Sequence, residues 1–347
     1  MAYTTINKPE DYFKPVLYTG THSSVPTVTV GFKSDFLWLK SRTQTYDHNL
    51  LDTTRGGNSK LSSNNNNVAS TTGDSVTFNA TTFQPSGQAI NEAGQGTNNM
   101  ISWSWKANGG TTSSNSAGTI TSTVQANTTA GFSIVTYTGN NTSGATVGHG
   151  LGAVPDTIIL KALTDAQNWF VNTPVGGGVG YMMLNQTDAK DSPNSSVWNN
   201  TSPTSTVFTL GNSGGVNDSI PYIANCFKSI KGYSKMGNYA GNGNDDGPFV
   251  YTGFKPAFLM AKKTSGTGTW FMWDNKRTPF NVMNIRVLAN TSAGDDTSND
   301  NRIDFLSNGF KIRDNSTSFN DNGSDMFYMA FAENPLVATN DVIALAR

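Results

Sequence analysis

Few side chains in this 347-residue chain could carry acid–base, nucleophilic or metal chemistry, for it has three histidines and one cysteine. His149 lies in Gly148-His149-Gly150-Leu151-Gly152, which has the outward form of a phosphate-cradling loop. Such a loop needs a strand before it and a helix after it. Here Pro155 and an apolar strand follow, so a tight turn between strands is expected. His48 follows Asp47 and is expected either to pack or to present a polar group at the surface. Cys226 stands between Asn225 and Phe227 in a strand-like run, where a buried small hydrophobe is expected rather than a nucleophile. No catalytic residue is assigned.

The remaining candidates are carboxylates, guanidiniums and aromatics. Asp52…Arg55 and Asp274…Arg277 repeat an Asp-x-x-Arg spacing. A planar guanidinium can clasp a carboxylate or a sugar hydroxyl. Structural ion pairs tying a turn to a sheet are the expectation, with ligand contact as the alternative. Trp198 beside Asn199 and Trp273 beside Asp274 are the candidate glycan contacts, since an indole face stacks on a sugar ring while amides and carboxylates bind its hydroxyls. Core packing is the competing reading. The loops Asn242–Asp246, Asp295–Asp300 and Asn320–Asp325 could supply oxygens to Ca2+, but none has the spacing of a known calcium loop. Turn chemistry accounts for Asn322-Gly323 as a hairpin. No metal ligand or cofactor is assigned.

The elements that must position these residues repeat. A Tyr-x-Gly turn, an apolar segment ending in Lys, and a closing aromatic strand occur three times. The turns are Tyr18-Thr19-Gly20, Tyr137-Thr138-Gly139 and Tyr239-Ala240-Gly241; the apolar segments end at Lys40, Lys161 and Lys262. Eight residues beyond each Lys stand His48, Trp169 and Trp270. Only the first and third copies have the Asp-x-x-Arg pair, so the fold does not require it. The closing runs are Ile101–Lys106, Tyr222–Lys228 and Tyr328–Ala332. The tyrosines lie 119 and 102 residues apart, the size of a small domain.

Within a copy, short β-branched and aromatic runs alternate with Gly and Asn turns, and no stretch sustains a helical period. An all-β fold of three tandem antiparallel β-sandwich modules is therefore expected. The boundaries are 1–110 with an N-terminal arm, 111–230 with a linker, and 231–347 with a C-terminal tail. Ala107–Asn115 reads as a flexible linker and Leu61–Asn67 as a solvated loop. The tail from Asn334 to Arg347 could add a strand to the third copy or dock on a neighbouring subunit, with the second favoured.

Composition narrows the function classes. With 23 basic and 24 acidic side chains, the chain has no broad basic field for nucleic acid or anionic membrane. Its apolar runs are too short to span a bilayer. Aromatics at 11% are enough to build cores, which argues against disorder. The lone cysteine allows no internal disulfide, and the first residues lack the basic and apolar stretches of a signal peptide. The Asn-x-Ser/Thr triplets are expected to be unglycosylated.

Three sets of strings resemble a repeat family of marine tailed bacteriophages: Met1–Lys8 with Tyr18-Thr19-Gly20, Thr129–Gly139 with Gly148–Gly152, and Tyr251–Phe258 with Trp270. The resemblance covers nearly the whole chain. It implies lectin-like or jelly-roll-like sandwiches and a non-enzymatic virion protein, made in the host cytoplasm and serving as a tail fibre or appendage. Expected partners are other virion proteins, further copies in a homo-oligomer (a trimer favoured), and host surface polysaccharide bound through many weak contacts. Alternatives are a capsid decoration or head-fibre protein, a polysaccharide-degrading tailspike, which would need a carboxylate pair in a cleft, and a cellular adhesin.

Overall fold

The computed structural model describes residues 3–21, 24–91, 98–173, 177–191 and 193–337. It is all-β, and among the described residues the paired strands run antiparallel, with one isolated parallel bridge between Ile120 and Val147. Three large sheets share one spatial order. The first holds Phe13–Thr19, Asn99–Trp105, Phe36–Ser41, Asn49–Asp52 and Gly56–Leu61 as successive neighbours. Ser234–Ala240, Asp325–Pro335, Phe254–Lys263, Phe271–Asp274 and Val287–Leu288 repeat that order. So do Phe132–Thr138, Pro221–Phe227, Thr157–Ala162, Phe170–Asn172 and Tyr181–Met183, with Ser122–Asn127 and Ser113–Asn115 added at one edge. The register repeats as well: Tyr18 opposes Met100, Tyr137 opposes Tyr222 and Tyr239 opposes Met326.

Each large sheet is buried on both faces, which explains the near-continuous apolar runs at its centre. Phe36–Ser41 and Thr157–Ala162 are buried at every position. Alternate residues of a strand point to opposite faces. Leu37 and Leu39 therefore turn outward to a cluster with Val28, Val76 and Phe83 of a small three-stranded sheet. Ile158 and Leu160 likewise meet Val147 and Phe208, and Leu259 meets Phe305 and Phe310. The opposite faces converge on one shared core. Phe36, Trp38 and Trp105 join Phe132, Ile159 and Phe227, and Phe258, Met260 and Phe331 complete it. Phe13 stacks on Phe331 at 4.8 Å, and Trp105 reaches Phe227 at 6.3 Å and Phe331 at 5.5 Å.

The Tyr-x-Gly turns have a physical cause. Each tyrosine hydroxyl donates to a carbonyl in the segment before the closing strand: Tyr18 to Ile90, Tyr137 to Val216 and Tyr239 to Phe319, at 2.8, 2.6 and 2.8 Å. The next residue in each segment, Asn91, Asn217 or Asn320, accepts a backbone N–H just after the turn glycine. A Cβ on Gly139 would stand 2.3 Å from the Asp218 carbonyl oxygen, and one on Gly241 would stand 2.3 Å from that of Asp321. Only glycine admits so close an approach.

Two expected loops are ordered parts of the fold. Ala107 is buried, Ala107 and Gly109 donate their N–H groups to Asp35, and Ser113–Asn115 is an edge strand, so the stretch expected as a flexible linker is bonded along its length. Asn64 accepts from the His48 N–H at 3.0 Å, Ser63 is buried, and Asn66 donates to the Ala166 carbonyl. The first residues of that segment make contacts between distant parts of the chain, while Asn66 and Asn67 are exposed, as a solvated loop would be. Asn334 and Pro335 finish the strand Asp325–Pro335, while residues 338–347 of the expected tail lie outside the described residues. Asn322-Gly323 forms a turn, with Ser324 N–H on the Asp321 carbonyl, but does not join two paired strands.

Candidate functional site

The four residues expected to touch a glycan are taken up by packing and internal bonds. Trp198 ends the short helix Ser195–Trp198 at 1% exposure and packs edge-on against Phe208. Trp273 is fully buried between Phe271 and Phe319, with ring centroids 5.3 and 5.4 Å away. Neither indole offers a face to a sugar. Asn199 takes a left-handed conformation at the helix end, and its side-chain oxygen accepts from Ser143. Asp274 is fully buried in an ion pair. The glycan assignment at these positions is therefore corrected: neither the strand of Trp273 nor the short helix of Trp198 reveals its buried face until the layer packed against it is known.

Both Asp-x-x-Arg pairs form turn clamps. Asp52 accepts the Thr54 and Arg55 N–H groups on one oxygen and the Arg55 Nε at 2.6 Å on the other, while Arg55 Nη2 donates to the Leu50 carbonyl. Asp274 and Arg277 repeat every bond, with Nε again at 2.6 Å and Nη2 on Met272. The second clamp also bridges distant segments. Arg277 reaches Asp295 at 3.2 Å, Asp295 holds Arg42 at 2.7 Å, and Trp103 Nε1 donates to Asp274 at 3.3 Å. Burial raises the cost of leaving any one of these charges alone.

The histidines and the cysteine are also structural. His48 and its counterparts join the three sheets in a ring. His48 Nε2 meets the Leu288 carbonyl at 3.0 Å, Trp169 Nε1 donates to Ser62 at 2.9 Å, and Trp270 Nε1 donates to Met183 at 2.9 Å. Each side chain thus reaches from its own sheet to the end of a different one, and the three contacts close on themselves. Trp38 Nε1 donates to His48 Nδ1 at 2.8 Å, so the imidazole proton sits on Nε2. Burial, with Lys40 nearby, holds the His48 pKa well below its ordinary value. His149 is buried in the expected turn, with Nε2 on the Thr204 carbonyl and Nδ1 accepting from Leu151, and burial lowers its pKa. Cys226 is buried, which pushes its thiol up to about 12 and leaves it a poor nucleophile.

Two sets of repeated residues carry bonds that went unassigned from the sequence. Asn64, Asn185 and Asn290 each accept the backbone N–H of the ring residues His48, Trp169 and Trp270, all at 3.0 Å. An Asn two places beyond each ring acceptor was the available signal. Lys40, Lys161 and Lys262 are fully buried, and each ammonium donates to the carbonyl of the following residue and to one further along the loop. Burial lowers each of these lysines to about 8.

The acidic loops hold cations of the chain itself. Asp296 and Asp300 engage Arg286, Asp321 engages Lys263, and Asp246 engages Lys311. Among the described residues no group of three or more His, Cys, Asp or Glu is placed to hold a metal ion. Among them, too, no helix is long and apolar enough to cross a membrane. No curated protein matches the chain. The family match runs from residue 8, just before the turn Pro9–Asp11, to residue 335, where the strand Asp325–Pro335 of the third large sheet ends, and the chain belongs to the family described as Domain of unknown function (DUF7483).

Proposed function

We propose that this protein is a non-enzymatic structural component of a bacteriophage particle, built of three tandem β-sandwich modules that act as one pseudo-threefold unit. The observation that carries the reading is the closed ring of His48, Trp169 and Trp270 around a shared aromatic core. Three modules linked in this way resist dissociation because two of the three junctions are also covalent. A single chain then occupies the place that a homotrimer of one-module subunits would take, so trimerisation is not needed to complete the core. The residues best suited to chemistry are bound into this frame: His48, His149, Cys226 and both Asp-x-x-Arg clamps.

The resemblance of Tyr18-Thr19-Gly20, Thr129–Gly139 and Tyr251–Phe258 to phage repeats supports a virion location. A tail fibre or appendage contacting host polysaccharide is the role we favour, with a capsid decoration as the rival. Labelled antibody on purified particles, or a reconstruction of the virion, tests the reading. Density on tail-attached projections is expected. Density on the capsid lattice would move the role to decoration, and absence from the particle would overturn the structural reading.

A further inference from the structure

We propose that a pocket between the second and third sheets binds an acidic sugar unit, one that carries a carboxylate on its ring. The pocket has a volume of about 360 Å³ and is bordered by Tyr3, Asp156, Lys228, Lys231, Lys235 and Tyr251. Its parts come from far apart in sequence. Tyr3 donates its hydroxyl to the Gly253 carbonyl at 2.7 Å and lies 3.2 Å from the Tyr251 hydroxyl, which pins the N-terminal arm across the junction. Thr4 adds a bond to the Lys231 carbonyl at 2.6 Å.

The charges are unbalanced in favour of an anion. Lys228 is matched by Asp156 at 3.3 Å. Lys231 lies over the Tyr3 ring at 4.5 Å and Lys235 over the Tyr251 ring at 5.6 Å. Among the described residues neither Lys231 nor Lys235 has a carboxylate within 4.0 Å. Lys235 gives one bond to the Tyr251 carbonyl at 2.7 Å, which orients the ammonium and leaves further donors for a ligand. The aromatic rings hold both cations by their faces. Tyr251, 48% exposed, adds an open phenol surface of the kind that packs on the apolar face of a pyranose. Two ammonium groups in one pocket, Lys231 over Tyr3 and Lys235 over the exposed Tyr251, fit a ring-borne carboxylate better than a neutral sugar, which would leave both charges unmatched.

This proposal takes only its ligand class from the host-contact reading. The test is calorimetric titration of the full chain with a short polyuronate at low salt, with a neutral glucan, sulfate and inorganic phosphate as controls. Polyuronate is expected to bind, to weaken as salt rises, and to lose at least about tenfold in affinity in the Lys231→Ala/Lys235→Ala variant. Lys231→Arg/Lys235→Arg is expected to keep most of the binding, and an unchanged melting temperature would show that both variants fold. No binding by the native chain, equal binding by the alanine variant, or equal binding of the neutral glucan would overturn the site. Binding of sulfate or phosphate as tight as that of polyuronate would overturn its assignment to a sugar. Absence of the protein from particles would leave this site standing, and loss of the site would leave the particle reading standing.

Discussion

Lys40, Lys161 and Lys262 each place an ammonium group against backbone carbonyls, with burial lowering the pKa to about 8. In the unfolded chain these groups return to the ordinary lysine value. Between the two values the unfolded state holds protons that the folded state has released, so stability rises with pH in that window and is flat below it. Burial raises Cys226, Tyr137 and Tyr233, which works in the opposite sense from about pH 9 upward. The clean window is therefore pH 8 to about 9. Lys161→Met is expected to reduce the slope of unfolding free energy against pH there by about a third, since one of three groups is gone. Denaturant titrations at several pH values measure it, and an unchanged slope would mean that the ammonium stays charged.

His48 gives the acid side of the same argument. Its lowered pKa means that stability is full above about 6.5 and is lost as the pH falls below it. A proton on Nδ1 would face the Trp38 N–H, and Lys40 and Arg277 already oppose positive charge there. His48→Gln keeps a donor and an acceptor but takes no proton, so its stability is expected to fall less than that of the native chain between pH 6.5 and 5. Equal falls would place the acid sensitivity elsewhere.

At the scale of elements, the turns and strands are held by contacts that tolerate little addition. Gly139 sits where a methyl group would strike the backbone of Asn217 and Asp218. Gly139→Ala is expected to cost about 3 kcal/mol, because the backbone on both sides must move. Gly31, by contrast, has a φ of +106° and open space around it. Gly31→Ala is expected to cost only the conformational strain, about 1 kcal/mol. Thermal or chemical denaturation of both variants tests the difference, and equal losses would mean that close approach is not what selects glycine in the Tyr-x-Gly turn.

The whole molecule depends on a core to which each of the three large sheets contributes. Phe132, Ile134, Ile159 and Phe227 pack in the shared cluster, so residues 111–230 expressed alone would expose them. Burying side chains of this kind is worth roughly 2 kcal/mol each, a large share of a domain's net stability. That fragment is expected to show no cooperative melting, whereas the full chain is expected to melt in a single transition. A fragment with sharp thermal unfolding would show that the modules are independent after all. The junction between the first and third sheets lacks a covalent link and instead carries the Arg42–Asp295–Arg277 bridge together with the His48 joint. Of the three ring contacts it is the one made by a titratable imidazole.

The sequence by itself determined the local elements. Tyr18, Tyr137 and Tyr239 mark the turns, Lys40, Lys161 and Lys262 stand one residue before the ends of central strands, and β-branched and aromatic runs between Gly and Asn set an all-β fold. These were legible because turn chemistry and strand alternation act over a few residues. Tertiary structure alone decided what each face meets. Trp198 and Trp273 could have faced water or core, and packing against Phe208 in one case and Phe271 and Phe319 in the other buried them. The His48, Trp169 and Trp270 positions were readable as equivalent, but not as links to other sheets. Alternation gives a side chain a direction and not a partner, and the partners here lie 87 to 240 residues away. The same distance in sequence hid the pocket of Tyr3, Lys231 and Tyr251, which exists only because chain folding brings the N-terminal arm across the second junction.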